Sequence, residues 1–232
     1  MPSLVGSEMC IRDSLGDASA VALYFLSKEA AGHVKVVLSG EGADELFGGY
    51  NIYREPESLK KIDWIPFGVR RVIGKLAAKL PDVKGRDFLI RAGMKVEERF
   101  IGNAYIYREK EKAQILKNKV TGPSTQEYLR PFFEELESEN RESLQDMEKM
   151  QSVDLSYWLP GDILQKADKM SMAHSLEVRV PFLDKEVFNF AAKLPKEAKI
   201  AAGTTKYIFR KAVSEFLLRV SCWLPTLRYV HG

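Results

Sequence analysis

The sequence predicts an α/β domain, predominantly helical, built on a parallel sheet, and three observations carry that prediction. Val34-Lys35-Val36-Val37-Leu38 is a short, β-branched, nearly unbroken apolar run, the pattern of a strand buried on both faces. An apolar helical stretch and Gly32 precede it, and a glycine-rich turn opening another helix follows it, which is the order of an αβ unit. From residue 88 onward the chain reads as helices separated by proline and glycine.

The elements follow in order. Asp17 can cap a helix over 19–31, apolar on most sides through Val21, Ala22, Tyr24, Phe25 and Leu26, with Gly32 at its end. The strand 34–38 stops at Ser39-Gly40, and Gly42 permits a second bend. Asp44 and Glu45 open a helix that Gly48-Gly49 closes after about one turn. Residues 67–80 carry Val69, Val72, Ile73, Leu76 and Leu80 on one face and Arg70, Arg71, Lys75 and Lys79 on the other. That amphipathic basic helix suits RNA, an anionic membrane surface or, more commonly, plain solvation of its charges. Ser124 with Glu127 forms a capping box, and Pro131 should break or kink the helix that follows. Helical spacing from Leu144 through Trp158 ends at Pro160-Gly161, read as a stop. A further helix spans about 162–174, and Glu177 and Arg179 alternate on an extended stretch, so both point to one side. Asp184 caps the next helix, and the last covers about 205–217. No other run pairs convincingly with strand 34–38, which predicts an unpaired edge prone to aggregation.

At 232 residues, 45% hydrophobic and 29% charged, the chain has the composition of one globular domain with a sizeable core. A net charge of +3 singles out neither nucleic acid nor membrane as a partner, and no apolar run approaches a membrane span. Cys10 and Cys222 suggest neither a disulfide scaffold nor a zinc site, and His33, His174 and His231 lack metal-ligand spacing. The expected compartment is the cytosol.

Chemistry concentrates just past the strand, where open α/β sheets bind ligands. Glu41, Asp44 and Glu45 crowd there, and like charges this close raise one another's pKa unless a cation relieves them. Mg²⁺ or a cationic substrate is one answer. For Asp44 and Glu45, favourable placement at a helix N-terminus, worth about 0.3–1 kcal/mol each, is another. Glu41, between two glycines, has no capping role to explain it.

The run Ser-Gly-Glu-Gly-Ala-Asp-Glu-Leu-Phe-Gly-Gly-Tyr over 39–50 closely resembles a loop of the glutamine-hydrolysing asparagine synthetases. Ala-Asp-Lys-Met-Ser-Met-Ala-His-Ser-Leu-Glu-Val-Arg-Val-Pro-Phe-Leu-Asp over 167–184 resembles a later motif of the same family. Around Asp17 and Ser19 the text also resembles the family's approach to its nucleotide site. The resemblance implies a partial ATP-pyrophosphatase (adenine nucleotide alpha-hydrolase-like) domain with a truncated parallel sheet over 14–217. It implies ATP and Mg²⁺ as cofactors, and aspartate and ammonia as partners, the ammonia coming from a glutaminase domain not present here. Aspartate would be activated as β-aspartyl-AMP, with pyrophosphate released, and ammonia would displace AMP to give asparagine. The resemblance also allows a homodimer of a full-length parent.

Carried over residue by residue, Ser39 and Gly40 would contact ATP or AMP, and Asp44 would be a metal ligand. Glu41 would be catalytic, either holding substrate or managing a proton as ammonia attacks. Asp17, Lys169 and Arg179 are weaker candidates for substrate or pyrophosphate, Arg179 having a salt bridge to Glu177 as its structural alternative. The family's Ser-Gly-Gly-x-Asp-Ser phosphate loop is missing, and residues 1–13 and 218–232 do not resemble the family. The leader 1–13 reads as a cloning scar, assembly error or false start, although Met9-Cys10 resembles the start of the glutaminase domain, and 218–232 reads as a non-family tail. This chain alone is therefore expected to be inactive. A relative that activates another carboxylate, and a non-catalytic fragment or binding module, are the alternatives.

Overall fold

The computed structural model describes residues 17–81, 83–103, 111, 114–116, 122–139 and 144–220, without the side chains of 217–220. The expected leader 1–13 and the tail from 221 onward, with Met9, Cys10, Cys222 and His231, lie outside these residues.

Helix α1 (Ser19–Ala31) leads through a turn at Gly32 into strand β1 (Val36–Leu38). Asp17 Oδ1 accepts from Ser19 N at 2.8 Å, so the expected cap is present at the start of the helix. Beyond β1 a loop reaches α2 (Ala43–Phe47), closed as expected by Gly48, whose φ of 69° only glycine adopts without strain. A 3₁₀ turn, Asn51–Arg54, joins it to α3 (Glu55–Lys60). Helices α4 (Phe67–Ala77), α5 (Arg86–Ala92) and α6 (Val96–Arg99) follow.

Next come α7 (Thr125–Glu139), α8 (Asp146–Val153), a π-wound stretch (Asp154–Leu164) and α9 (Gln165–Met172). Strand β2 (Glu177–Arg179), a 3₁₀ turn (Pro181–Leu183), α10 (Lys185–Ala192), α11 (Lys196–Lys199) and α12 (Tyr207–Val220) follow. The capping boxes and caps read from sequence hold: Ser124 N donates to Glu127 Oε2 at 2.7 Å, and Asp184 Oδ1 accepts from Glu186 N at 2.8 Å.

Three expectations are corrected. First, β1 has a partner. It pairs in parallel with β2, in the register Val36 with Glu177, Val37 with Val178 and Leu38 with Arg179. A three-residue strand with a charge at each end does not read as a partner from sequence, yet parallel bonding needs only its backbone. Second, β1 is not buried on both faces, since Val36 is 41% and Leu38 74% exposed.

Third, neither proline stops its helix. Pro131 sits inside α7, where Leu129 and Phe133 on either side of it are buried and hold the helix in place. Pro160 is absorbed by the wider π winding, which relaxes the clash between a proline ring and the preceding turn. The basic helix α4 docks through its small residues and not through its large apolar stripe. Gly74 approaches the backbone of Leu89 and Ile90, Gly93 approaches that of Arg70, and Val69, Val72 and Leu76 stay exposed.

One apolar core gathers Tyr53, Val96, Phe100, Leu129, Phe133, Met147, Met150, Val153 and Ile200 between α6, α7 and α8. A second holds Leu46, Phe47 and Ala191 against Phe182, Leu183 and Phe209, and it fixes α2 to the α10–α12 side. The loop after β1 hangs between these two cores.

Candidate active site

The backbone of the loop is positioned first. Ser39 N donates to Arg179 O at 2.8 Å, extending the β1–β2 pairing one residue past Leu38. Gly42 then takes a φ of 87°, and a Cβ there would stand 2.3 Å from Leu183 Cδ2, so both the turn and the packing exclude a side chain. From behind, buried Gln151 of α8 donates to Glu45 O and Leu46 O, and Lys199 Nζ of α11 donates to Gln151 Oε1 at 3.1 Å. These carbonyls belong to a helix of one turn, where they have no intrahelical partner.

The three loop carboxylates then meet different environments. Glu45 is 1% exposed, and its Oε1 accepts from Tyr50 OH at 2.6 Å, while that hydroxyl accepts from Trp158 Nε1 at 3.3 Å. Burial pushes the Glu45 carboxyl above the usual range despite the tyrosine bond. Asp44 Oδ1 lies 2.8 Å from Lys206 Nζ. Glu41 is half-buried. Burial also raises its pKa, with Lys166 and Lys206 pulling it down and Glu45 and Asp44 pushing it up.

Lys166 of α9 is the third participant on this side. Its ammonium bonds Asp17 Oδ2 and donates to Ser19 Oγ at 2.9 Å. The Lys166 bond, with the two bonds from Ser19, lowers the Asp17 carboxyl to about 2. Asp162, one turn before Lys166, has a buried oxygen with no partner, and burial raises its carboxyl. The start of α1 is thus tied to the first turn of α9 beside the loop.

The structure therefore brings Ser39, Gly40, Glu41 and Asp44 into one loop and sets Asp17 beside it through Lys166. Arg179 reaches the site through its backbone, while its Nε donates to Glu177 Oε1 at 2.7 Å on the exposed side of β2. That is the structural alternative expected for the pair. Lys169 lies on α9, half-buried. With the Gln165 amide turned so that its nitrogen donates to Gly161 O, the amide oxygen accepts from Lys169 Nζ at 3.2 Å.

Sequence reasoning missed Lys166 and Lys206. Their distance along the chain from Glu41 hid them. The one available signal was the requirement that crowded carboxylates have a cation nearby. That requirement is met within the chain by two lysines.

Whether a metal fits is decided by the ligand set. Among the described residues no group of three or more His, Cys, Asp or Glu side chains is placed to hold a metal ion. Mg²⁺ needs no such cage when it is shared with phosphates, because one or two carboxylates, phosphate oxygens and water complete its shell. Asp44 fits that role on condition that Lys206 gives up its carboxylate. Among the same residues, no helix is long and apolar enough to cross a membrane.

Comparison with known proteins gives the chain its relatives. The profile of the asparagine synthase family matches residues 8–223. The Bacillus subtilis (strain 168) protein asparagine synthetase [glutamine-hydrolyzing] 1 is 51% identical over 201 residues, which is 86% of this chain and 31% of that protein. A putative asparagine synthetase [glutamine-hydrolyzing] of Mycobacterium tuberculosis (strain ATCC 25618 / H37Rv) is 45% identical over 202 residues, 87% of this chain and 30% of the relative. The Gallus gallus asparagine synthetase [glutamine-hydrolyzing] is 28% identical over 136 residues, 57% of this chain and 23% of the relative. No solved structure matches. The chain thus spans about three tenths of the length of its first two relatives. On the profile match and on the identity to the bacterial synthetases, this chain belongs to the asparagine synthase family.

Proposed function

We propose that the chain forms part of the synthetase domain of a glutamine-dependent asparagine synthetase, an ATP-dependent ligase with an ATP-pyrophosphatase fold. In this reading ATP activates the side-chain carboxylate of aspartate, and ammonia replaces AMP. The observation that carries the reading is the loop 40–45 itself. A half-buried glutamate at the end of a parallel strand is flanked by two lysines, in a chain of this family.

Each residue has a task that follows from its surroundings. Ser39, fixed on the β2 backbone, and Gly40 after it present hydroxyl and backbone groups to the nucleotide. Gly40 has nothing within 4 Å of where a Cβ would stand, so the backbone there is open to a ligand. Glu41, raised by burial, holds the substrate or passes a proton as ammonia attacks the acyl carbon. Lys166, held in place by Asp17 and Ser19, sets an ammonium near Glu41 whose charge the Asp17 carboxylate largely offsets, so it orients more than it attracts. Asp44 is the metal ligand, and Mg²⁺ supplies charge neutralisation on the phosphates when bound. Lys169 and Arg179 remain the candidates for pyrophosphate.

A chimera tests this. Residues 14–217 are placed in the matching span of the Bacillus subtilis relative, and aspartate-dependent ATP–pyrophosphate exchange is measured. Exchange well above a no-aspartate control is expected. A folded chimera that exchanges nothing with aspartate contradicts the proposal, and exchange with another carboxylate redirects the substrate assignment.

A further inference from the structure

Asp44 is the residue assigned to the metal, yet a lysine stands on it. Lys206 Nζ lies 2.8 Å from Asp44 Oδ1, with side-chain exposures of 20% and 40%. Three features make this more than a chance surface pair. Lys206 has a φ of 52°, a left-handed conformation uncommon for a residue with a Cβ. Its carbonyl accepts from Arg210 N at 2.8 Å in the first turn of α12, so a fixed backbone aims the side chain. Finally, Gly49 leaves the room the pair occupies. A Cβ there would stand 1.8 Å from Asp44 Oδ1 and 2.3 Å from Lys206 Cε.

We propose that Lys206 is a resident counter-ion on Asp44 which a divalent cation must displace, so that the loop exchanges an ammonium for a metal. The proposal rests on reading Asp44 as the metal-binding carboxylate. An Asp44 oxygen shared with Lys206 is a poor Mg²⁺ ligand, because two cations then compete for one carboxylate. The exchange has an evident use. With Lys206 in place, part of the negative charge of three carboxylates in five residues is offset, which helps the loop keep its shape before nucleotide and metal arrive. Lys206 acts on Glu41 and Glu45 as well as on Asp44, so its departure alters all three.

Mn²⁺ binding to the full 232-residue chain, read by water-proton relaxation without nucleotide, tests the exchange. Lys206→Met should bind Mn²⁺ about two- to fivefold more tightly than the unsubstituted chain, the range a partly exposed ion pair supports. Adding Asp44→Asn to Lys206→Met should remove the gain, and Lys206→Arg should give none. Equal or weaker binding by folded Lys206→Met overturns the proposal, as does the absence of Mn²⁺ binding in both proteins. Should Lys206→Met fail to fold, Mg²⁺ is titrated into the unsubstituted chain with NMR detection of lysine ε-carbons and aspartate carboxyls. The Lys206 and Asp44 signals must then move together, and a stationary Lys206 signal refutes the exchange. A chimera active in ATP–pyrophosphate exchange, alongside unchanged Mn²⁺ affinity in Lys206→Met, refutes this proposal and leaves the proposed function standing.

Discussion

The helical core around Met150 and the strand region around β1 use the same kinds of residue and end in opposite environments. In the first, Tyr53, Met150 and Val153 are fully buried, and Phe100, Leu129 and Phe133 are each 3% exposed. In the second, Phe25, Leu26 and Leu38 are 62%, 65% and 74% exposed. Helices at 3.6-residue spacing find their partners among nearby helices of the described chain. A parallel strand needs neighbours brought from elsewhere by crossovers, and among the described residues it has one. The contrast separates what the molecule stands on from what it presents. The candidate loop is anchored to the first region by Gln151 and Glu45, while it continues a strand of the second.

The largest expected difference is energetic. Met150→Ala in the core should cost about 2–5 kcal/mol in denaturant unfolding. Phe25→Ala and Leu38→Ala should stay within about 0.5 kcal/mol. Equal costs in the two regions would break the comparison.

Next in size is a pH effect confined to the core. Asp154 is fully buried, and burial lifts its carboxyl to about 6 from 3.8 against the bonds from Tyr53 and Asn103. The folded state therefore holds a proton that the unfolded chain loses, so this group's contribution falls as pH rises from about 4 through 6. Relative to Asp154→Asn, the unsubstituted chain should lose on the order of 2–3 kcal/mol between pH 4 and pH 7. A flat difference across that window contradicts the assignment. Tyr53→Phe removes the 2.6 Å bond to Asp154 Oδ2 and should cost about 1–3 kcal/mol in thermal or denaturant unfolding at pH 7.

The smallest effect lies at the strand. Leu38→Lys should change stability by less than about 0.5 kcal/mol. It should reduce self-association of the chain in sedimentation experiments, because charge on an exposed strand discourages edge pairing. Undiminished association would place the sticky surface elsewhere, with the exposed face of α4 the first alternative.

What could be read from sequence divides along the same line. The cap at Asp17, the closure of α2 at Gly48, the Ser124–Glu127 box and the Asp184 cap are bonds between near neighbours, and each was legible. The contiguous loop 39–44 was legible for the same reason. The π winding through Pro160, the continuation of α7 through Pro131 and the pairing of β2 depend on distant packing and were not. Exposure of the apolar stripe on α4 was hidden because Gly74 and Gly93, which have no side chain to mark a contact, form it. In the site, Lys166 and Lys206 escaped because nothing local marks a lysine as the partner of a remote carboxylate.

The central claim is that Glu41 acts in the chemistry of the loop, and one substitution addresses it. In the chimera, Glu41→Gln keeps the side-chain volume and removes the charge, so it tests the carboxylate alone. Single-turnover release of AMP with aspartate, ammonia and Mg²⁺ should slow by at least about tenfold, roughly 1.4 kcal/mol of barrier, with the unfolding midpoint unchanged. Release at the unsubstituted rate would make Glu41 a structural residue and contradict the account.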